Sequence, residues 1–469
     1  MTGGLKETAS RLALAAMFCV MGTAVFGAKP VHAADLGGDC CADLEERVAE
    51  LEATTVRKGN KKVSVQVYGK VNKAVEYWDD GAEQNTYVVD NSYETTRMGF
   101  KGTAKISGNW GAGYKLEFET RDASSEALNQ IDDDNTPQAR GVFVRHSYMF
   151  INNKDLGEVR WGLTYTPKDD ITKDTNVTDL QDTMNSDDHM NRGFFLRPKG
   201  FNTEVGGAGQ LKWQNISGCY TSGAAFDCST RRNQVTYWSP DWNGLTASWG
   251  WGEDDIWGGA LRYKKEWDIF KVGAGVGYEK FTDERLQAGG GGLANFKRDI
   301  QEWAGSGSIK HKPTGLFVFG AWSFSQDDDS NRINAGIFTH TSSPDMNAWD
   351  AQIGIQRPLT WFGLDRLGET SFFGGFTNIS DGVGGAGGPT RFLAAGTFPN
   401  LAIDTEITGS DVDKWYLGWD QAIDSAALHL YAVYQHLEPS VDLVDSSLNR
   451  VSEPLDNFDL FYTGARIYF

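Results

Sequence analysis

The stretch Val63-Ser-Val-Gln-Val-Tyr-Gly-Lys-Val-Asn-Lys-Ala-Val-Glu-Tyr77 reads with a period of two. Val63, Val65, Val67, Gly69, Val71 and Val75 fall on one face; Ser64, Gln66, Lys70, Asn72 and Glu76 fall on the other. A helix cannot separate these two sets, whereas a strand does so because successive side chains leave opposite faces. The alternation recurs at 97–106, where Met98, Phe100, Ala104 and Ile106 oppose Arg97, Lys101 and Lys105. At 114–121, Leu116 and Phe118 oppose Lys115, Glu117, Glu119 and Arg121. Further segments are 141–151, 159–165, 233–239, 245–252, 258–267, 270–280, 300–311 and 316–326. The segments 348–356, 369–378, 412–423, 427–437 and 458–469 bring the count to sixteen.

The links between segments choose the architecture. After even-numbered segments they are short: 107–111, 153–157, 240–244, 267–270, 312–315, 358–365 and 424–426. After odd-numbered segments they are long and polar: 79–94, 122–140, 166–232, 281–299, 327–347, 379–411 and 438–457, with the short link 253–256 as the exception. Short turns at one end and long loops at the other are what an up-and-down transmembrane barrel requires, and a sandwich or propeller imposes no such rule. The charged face then lines a water-filled lumen, and the backbone groups pair between strands, as any structure in hydrocarbon demands. Phe461, Thr463, Ala465, Ile467 and Phe469 share one parity on a last strand that a closed barrel pairs with its first. Trp78, Trp161, Trp267 and Trp361 stand at strand ends, where aromatic girdles meet the membrane interface. The expected fold is all-β: a 16-stranded antiparallel transmembrane β-barrel with a short N-terminal periplasmic helix.

Composition agrees. Of 469 residues 55 are Gly, about 12% where about 7% is ordinary. The 63 acidic residues outnumber 44 Lys and Arg, for a net charge of −19, which offers nucleic-acid phosphate no attractive surface. Residues 1–33 read as a signal peptide: Lys6 and Arg11 precede an apolar run at 12–26, and Val31-His32-Ala33 presents small residues for cleavage. Its removal takes away Lys6, Arg11, Lys29 and Glu7, a net +2, and leaves about −21. No later stretch approaches the roughly 18–20 apolar residues of a spanning helix. Residues 34–62 form an N-terminal periplasmic segment before a barrel domain at 63–469. Within it Leu44, Val48, Leu51 and Thr55 recur at heptad spacing, so a short helix here either docks on its own protein or bundles identical N-termini. Arg57, Lys58, Lys61 and Lys62 follow as a solvated linker.

Chemistry-bearing motifs are sparse. Cys219 and Cys228 lie nine apart in a Gly/Ser/Thr-rich stretch and suit a disulfide in an oxidising compartment. The vicinal Cys40-Cys41 could link neighbouring chains, stay reduced or carry lipid. Gly382-Val-Gly-Gly-Ala-Gly387 matches a dinucleotide fingerprint in form, but no helix follows it. Asp132–Asp134 and Asp327–Asp329 lack the spaced ligands of a calcium loop. Seven scattered His support no catalytic grouping, and no cofactor, metal or enzymatic activity is expected.

Residues 60–70 resemble the first strand of the Gram-negative general porins, and 96–102 their second. Residues 144–148 through 156–162 resemble the strand pair before that family's constriction loop, and the terminal Phe469 resembles its insertion signal. The run 38–53 resembles that of alphaproteobacterial porins. General porins are 16-stranded outer-membrane trimers through which small hydrophilic solutes and ions diffuse passively. Their third long loop folds inward and sets carboxylates opposite a basic wall. The resemblance implies a basic wall of Lys70, Arg97 and Arg145, and acidic loop residues Asp174, Asp179, Asp182, Asp187 and Asp188, within a cluster that also holds Asp169 and Asp170. It implies a homotrimer surrounded by outer-membrane lipid and lipopolysaccharide. The family's further wall Arg just after the loop has no direct counterpart, Arg231 and Arg232 lying nearby, and its Pro-Glu-Phe-Gly-Gly loop tip is absent. Two other readings stand beside the channel: a structural or adhesive barrel with a plugged lumen, and a barrel enzyme needing a Ser and His at one rim. The net charge favours cations, although much of it falls in loops and the wall is basic; on balance a weak cation preference is expected.

Overall fold

A computed structural model describes residues 62–133, 141–178, 180–184, 191–200, 210–219, 228, 231–282, 299–327, 345–359, 367–382, 392–393, 405–445, 447 and 449–469. The chain divides into two units, Met1–Ala53 and Thr54–Phe469, and the described residues belong to the second. The expected signal peptide, the helix at 42–55 and Cys40-Cys41 lie outside the described residues.

The strands run β1 (Gln66–Asp79), β2 (Gln84–Asp90), β3 (Arg97–Ser107), β4 (Trp110–Arg121), β5 (Gly141–Asn153), β6 (Gly157–Tyr165) and β7 (Arg231–Trp238). They continue with β8 (Leu245–Gly252), β9 (Trp257–Glu266), β10 (Phe270–Thr282), β11 (Asp299–His311), β12 (Leu316–Asp327) and β13 (Met346–Arg357). Last come β14 (Thr370–Ser380), β15 (Phe392–Leu393), β16 (Thr405–Ile423), β17 (Leu428–Asp445), β18 (Arg450–Ser452) and β19 (Phe458–Tyr468). Sixteen of them form one closed antiparallel barrel; the short β2, β15 and β18 extend the sheet on the loop side. Closure joins β19 to β1, from Lys70 opposite Tyr468 to Asp79 opposite Asp459. Gly69 and Phe469 complete the seam by exchanging backbone hydrogen bonds of 2.9 and 3.0 Å, so the C-terminal strand leaves no open edge.

All sixteen expected segments are found. The differences lie above the membrane: β16 begins at Thr405 rather than 412, and β17 runs on to Asp445 rather than 437. There both faces of a hairpin meet water or loops, so the apolar alternation that marks a strand in sequence fades. The short β2, β15 and β18 escape notice for the same reason.

The barrel is apolar outside and polar inside. Leu417, Trp249, Ile353, Trp322 and Trp349 are exposed on the outer wall, while Ser323, Glu302, Gln352, Asp350 and Lys310 are buried on the inner one. Trp161 and Trp267 lie on the outer surface as expected of girdle residues, and Trp361 is outside the described residues. Trp78 corrects the expectation: it is 2% exposed and points inward. Its parity is that of Lys70, Asn72 and Glu76, and its ring packs on Phe194 at 5.2 Å and on Tyr87 at 5.7 Å. A girdle assignment from position at a strand end ignores which face the residue occupies.

Candidate functional site

The third long link leaves β6, enters the barrel and crosses it. Its root is tied to β10 and β11. Lys168 is fully buried, with Nζ 3.9 Å from Glu279 and 3.5 Å from Glu302, and its backbone N–H donates to Glu279 at 3.0 Å. The helical turn Ile171–Asp174 then lies on a bare part of the wall. A Cβ on Gly273 would stand 2.0 Å from the Thr175 carbonyl oxygen, so only glycine lets loop and wall approach this closely. Ser306 Oγ donates to the Ile171 carbonyl at 2.6 Å, and Ser308 Oγ accepts from the Val177 N–H at 3.0 Å. Arg262 holds the next edge, donating to the Asp169 carbonyl at 2.7 Å and pairing with Asp174 at 3.2 Å.

Beyond this turn the loop reaches the last strand. Arg466 Nη1 donates to the Asp182 carbonyl at 2.6 Å, Tyr468 OH to Asp182 Oδ2 at 2.5 Å, and Tyr462 OH to the Thr183 carbonyl at 3.1 Å. The return limb buries Phe194 and Trp213 against Trp78 and Phe458. Arg197 closes it with a buried ion pair to Asp80 at 2.6 Å. Cys219 and Cys228 are joined as a disulfide, with Cα atoms 5.5 Å apart.

The loop therefore covers the walls of β10–β11, β16–β19 and β1–β2, and leaves open the side built by β3–β7. A polar opening of about 690 Å³ remains, lined on that side by Arg97, Arg121, Arg145 and Arg231, and on the loop side by Asp169, Asp170, Asp174 and Asp182. A backbone irregularity aims the central arginine. Glu117 pairs with His146 and Phe118 with Val144, so Arg145 is the extra residue of a β-bulge, the device that redirects a side chain out of register.

Lys70, Arg97 and Arg145 are brought into one cluster, and among the described residues their main partners are glutamates rather than the loop aspartates. Lys70 Nζ is 2.6 Å from Glu94, and Arg97 Nη2 is 2.5 Å from the same carboxylate oxygen. Arg145 pairs with Glu119 and, at 3.2 Å, with Glu117. Among the described residues, Lys70 alone of the three also meets a loop aspartate, at 3.5 Å from Asp182. Asp174 faces Arg262 rather than the predicted wall. Asp179, Asp187 and Asp188 lie outside the described residues.

Glu94, Glu117, Glu119, Arg262 and Arg466 are site residues that the sequence reading did not single out. Four of them were within reach. Glu117 and Glu119 share the charged parity of β4, and the register sets Glu119 directly across from Arg97. Arg262 and Arg466 likewise occupy inward positions. Glu94 stands on a turn, Ser92–Glu94, capped by the Asn91 side chain, and has no periodicity to betray it.

Burial pushes the Glu94 carboxyl up, but Arg97 and Lys70 outweigh it and hold the group well below its ordinary value of 4.5. A carboxylate depressed by folding adds stability that is complete above the unfolded value and is lost progressively as pH falls below it. Stability measurements on wild type and Glu94→Gln should therefore differ at neutral pH and converge below about pH 4.5. A constant difference down to strongly acid pH would contradict the pairing.

A closed barrel with an apolar outer wall, a polar inner wall and an inward loop that leaves an opening defines a channel-forming outer-membrane protein. The chain belongs to the Gram-negative porins, whose family model matches residues 15–447. Among solved structures, the anion-selective porin from Comamonas acidovorans is similar with a TM-score of 0.52 at 16% identity, over 87% of this chain and 100% of that one. OmpF of Salmonella typhi, in complex with daunomycin, gives 0.48 at 14% over 88% and 100%. The trimer form of OmpT from Vibrio cholerae gives 0.48 at 14% over 87% and 100%. At such identities the likeness shows the fold. No curated protein matches the chain in sequence. As a porin it resides in the outer membrane and gives small hydrophilic solutes and ions a passive path past its inward third loop.

Proposed function

We propose that the chain assembles as a homotrimer of water-filled channels, each narrowed where Lys70, Arg97 and Arg145 stand across from loop carboxylates that include Asp174 and Asp182. In this reading residues 1–33 are removed on export, 34–62 stay in the periplasm, and the outer wall meets lipid and lipopolysaccharide. The observation that carries it is the opening of about 690 Å³, lined by charged groups from both wall and loop. Opposed charges across a narrow lumen with low-dielectric walls create a strong transverse field. Water and polar solutes orient in it, while apolar ones would have to displace ordered water; width and lining charge then set selectivity.

The test is single-channel recording of the purified full chain in a planar bilayer. Large openings that close in three equal steps under voltage are expected. A folded barrel that never conducts would favour the plugged structural reading, in which the aromatic cluster around Trp78, Phe194 and Phe458 fills the lumen.

A further inference from the structure

The charges around the opening do not cancel evenly. Glu94 is held by Lys70 and Arg97, Glu126 by Arg121 and Arg192, Asp170 by Lys173, Asp174 by Arg262, and Asp182 by Lys70 and Arg466. Asp169 is buried beneath the loop turn, where Arg262 meets its backbone carbonyl rather than its carboxylate. Two cations that line the same opening have no carboxylate partner among the described residues. Arg231 stacks on the Tyr165 ring, 5.5 Å from its centre, and Lys264 is exposed, its side chain making no hydrogen bond or ion pair among the described residues. Towards the short-turn end, Lys101 and Lys105 continue the inward parity of Arg97 and are likewise exposed; Lys101 lies 5.4 Å from the centre of the Tyr68 ring.

Paired charges largely cancel a few ångströms away, so the field an ion meets is set by those left over. Chain-wide net charge misleads here, because acid is also carried outside the narrow part: Asp442, Asp445 and Asp456 sit at the loop end, beyond the strands or at their outer tips. At 0.1 M salt the screening length is about 10 Å, too short for distant loop carboxylates to govern the opening.

We propose that the channel prefers small anions, with Arg231 and Lys264 as the residues that set this preference and Lys101 and Lys105 as a second step towards the periplasm. The inference rests on the channel reading above. Selectivity is opposite in sign to that expected from the net charge of the chain.

The experiment is the reversal potential of the purified full chain in a dilute KCl gradient, for wild type, Arg231→Gln, Lys264→Gln and the double variant. The chloride-to-potassium permeability ratio should exceed one in wild type, fall in each single variant and fall furthest in the double. The wild-type preference should shrink at 1 M salt, where the screening length is about 3 Å. Heat-dependent gel migration identifies folded barrels, and Lys101→Gln/Lys105→Gln supplies a second pair of variants at a separate place. Potassium selectivity in wild type, or a ratio unmoved by the double variant, overturns the proposal. A folded chain that carries no current in any salt sinks the channel reading itself, and this inference with it.

Discussion

Lys168→Met is expected to release the root of the inward loop. Lys168, Glu279 and Glu302 are all fully buried, so the substitution removes a buried cation that two carboxylates face in a place water does not reach. Removing one partner of a buried ionic group costs about 3–5 kcal/mol, because the charges left behind keep their desolvation penalty and lose their compensation. The closed sheet can bear this, since its backbone ladder is untouched; the loop cannot, since Lys168 is its first anchor on the β10–β11 wall. Single-channel traces should become larger and noisier, and the midpoint of chemical unfolding should drop. Adding Glu279→Gln and Glu302→Gln to the variant should restore part of the stability, because the two buried carboxylate charges that faced Lys168 are then removed with it. Wild-type conductance, noise and stability in Lys168→Met would show that the triad does not hold the loop.

Arg145→Leu should lower stability and shift ion preference together. Arg145 is the extra residue of the β5 bulge and bridges Glu117 and Glu119 at the edge of the opening. Its loss leaves Glu119 with Arg121, and Glu117 with Lys115 and the more distant Arg97. Charged hydrogen bonds contribute about 1.5–3 kcal/mol each, so a loss of a few kcal/mol is expected. The opening also becomes one unit more negative, which moves the permeability ratio towards cations at low salt and much less at 1 M. Arg145→Lys separates the two effects: it keeps the charge but cannot reach both carboxylates with a planar fork, so stability falls while selectivity stays near wild type. Arg231→Gln should do the reverse, shifting selectivity with little change in stability, because no carboxylate among the described residues pairs with it. Equal stability of Arg145→Leu and wild type would remove the case for its structural role.

Much of the barrel was legible in the chain. Val63 to Val75 alternates because one face of β1 meets lipid and the other meets the lumen, and that pattern survives wherever a strand crosses hydrocarbon. It fails where the environment stops being two-sided, which is why the outer parts of β16 and β17 and the whole of β2, β15 and β18 went unseen. Trp78 shows the same limit at a single residue: its place at a strand end suggested a girdle, while its parity put it inside. Lys70, Arg97 and Arg145 all face the lumen and meet in one cluster, as the alternation of their strands implies. Their partners were not legible in the chain, since Glu94 sits on a turn, and the bulge that aims Arg145 appears only when β4 and β5 are laid side by side.

The sequence by itself determined the class of fold, the number of crossings, the end that carries the long loops and the face of each strand that water wets. These follow from local periodicity and link length, which a membrane enforces residue by residue. Tertiary structure alone decided where the third loop lies, which carboxylates neutralise which arginines, and that Arg231 and Lys264 have no acidic partner among the described residues at the opening. Those outcomes depend on closing β19 onto β1 and on contacts between residues far apart in the chain. No local pattern encodes how such charges cancel once the barrel has brought them together.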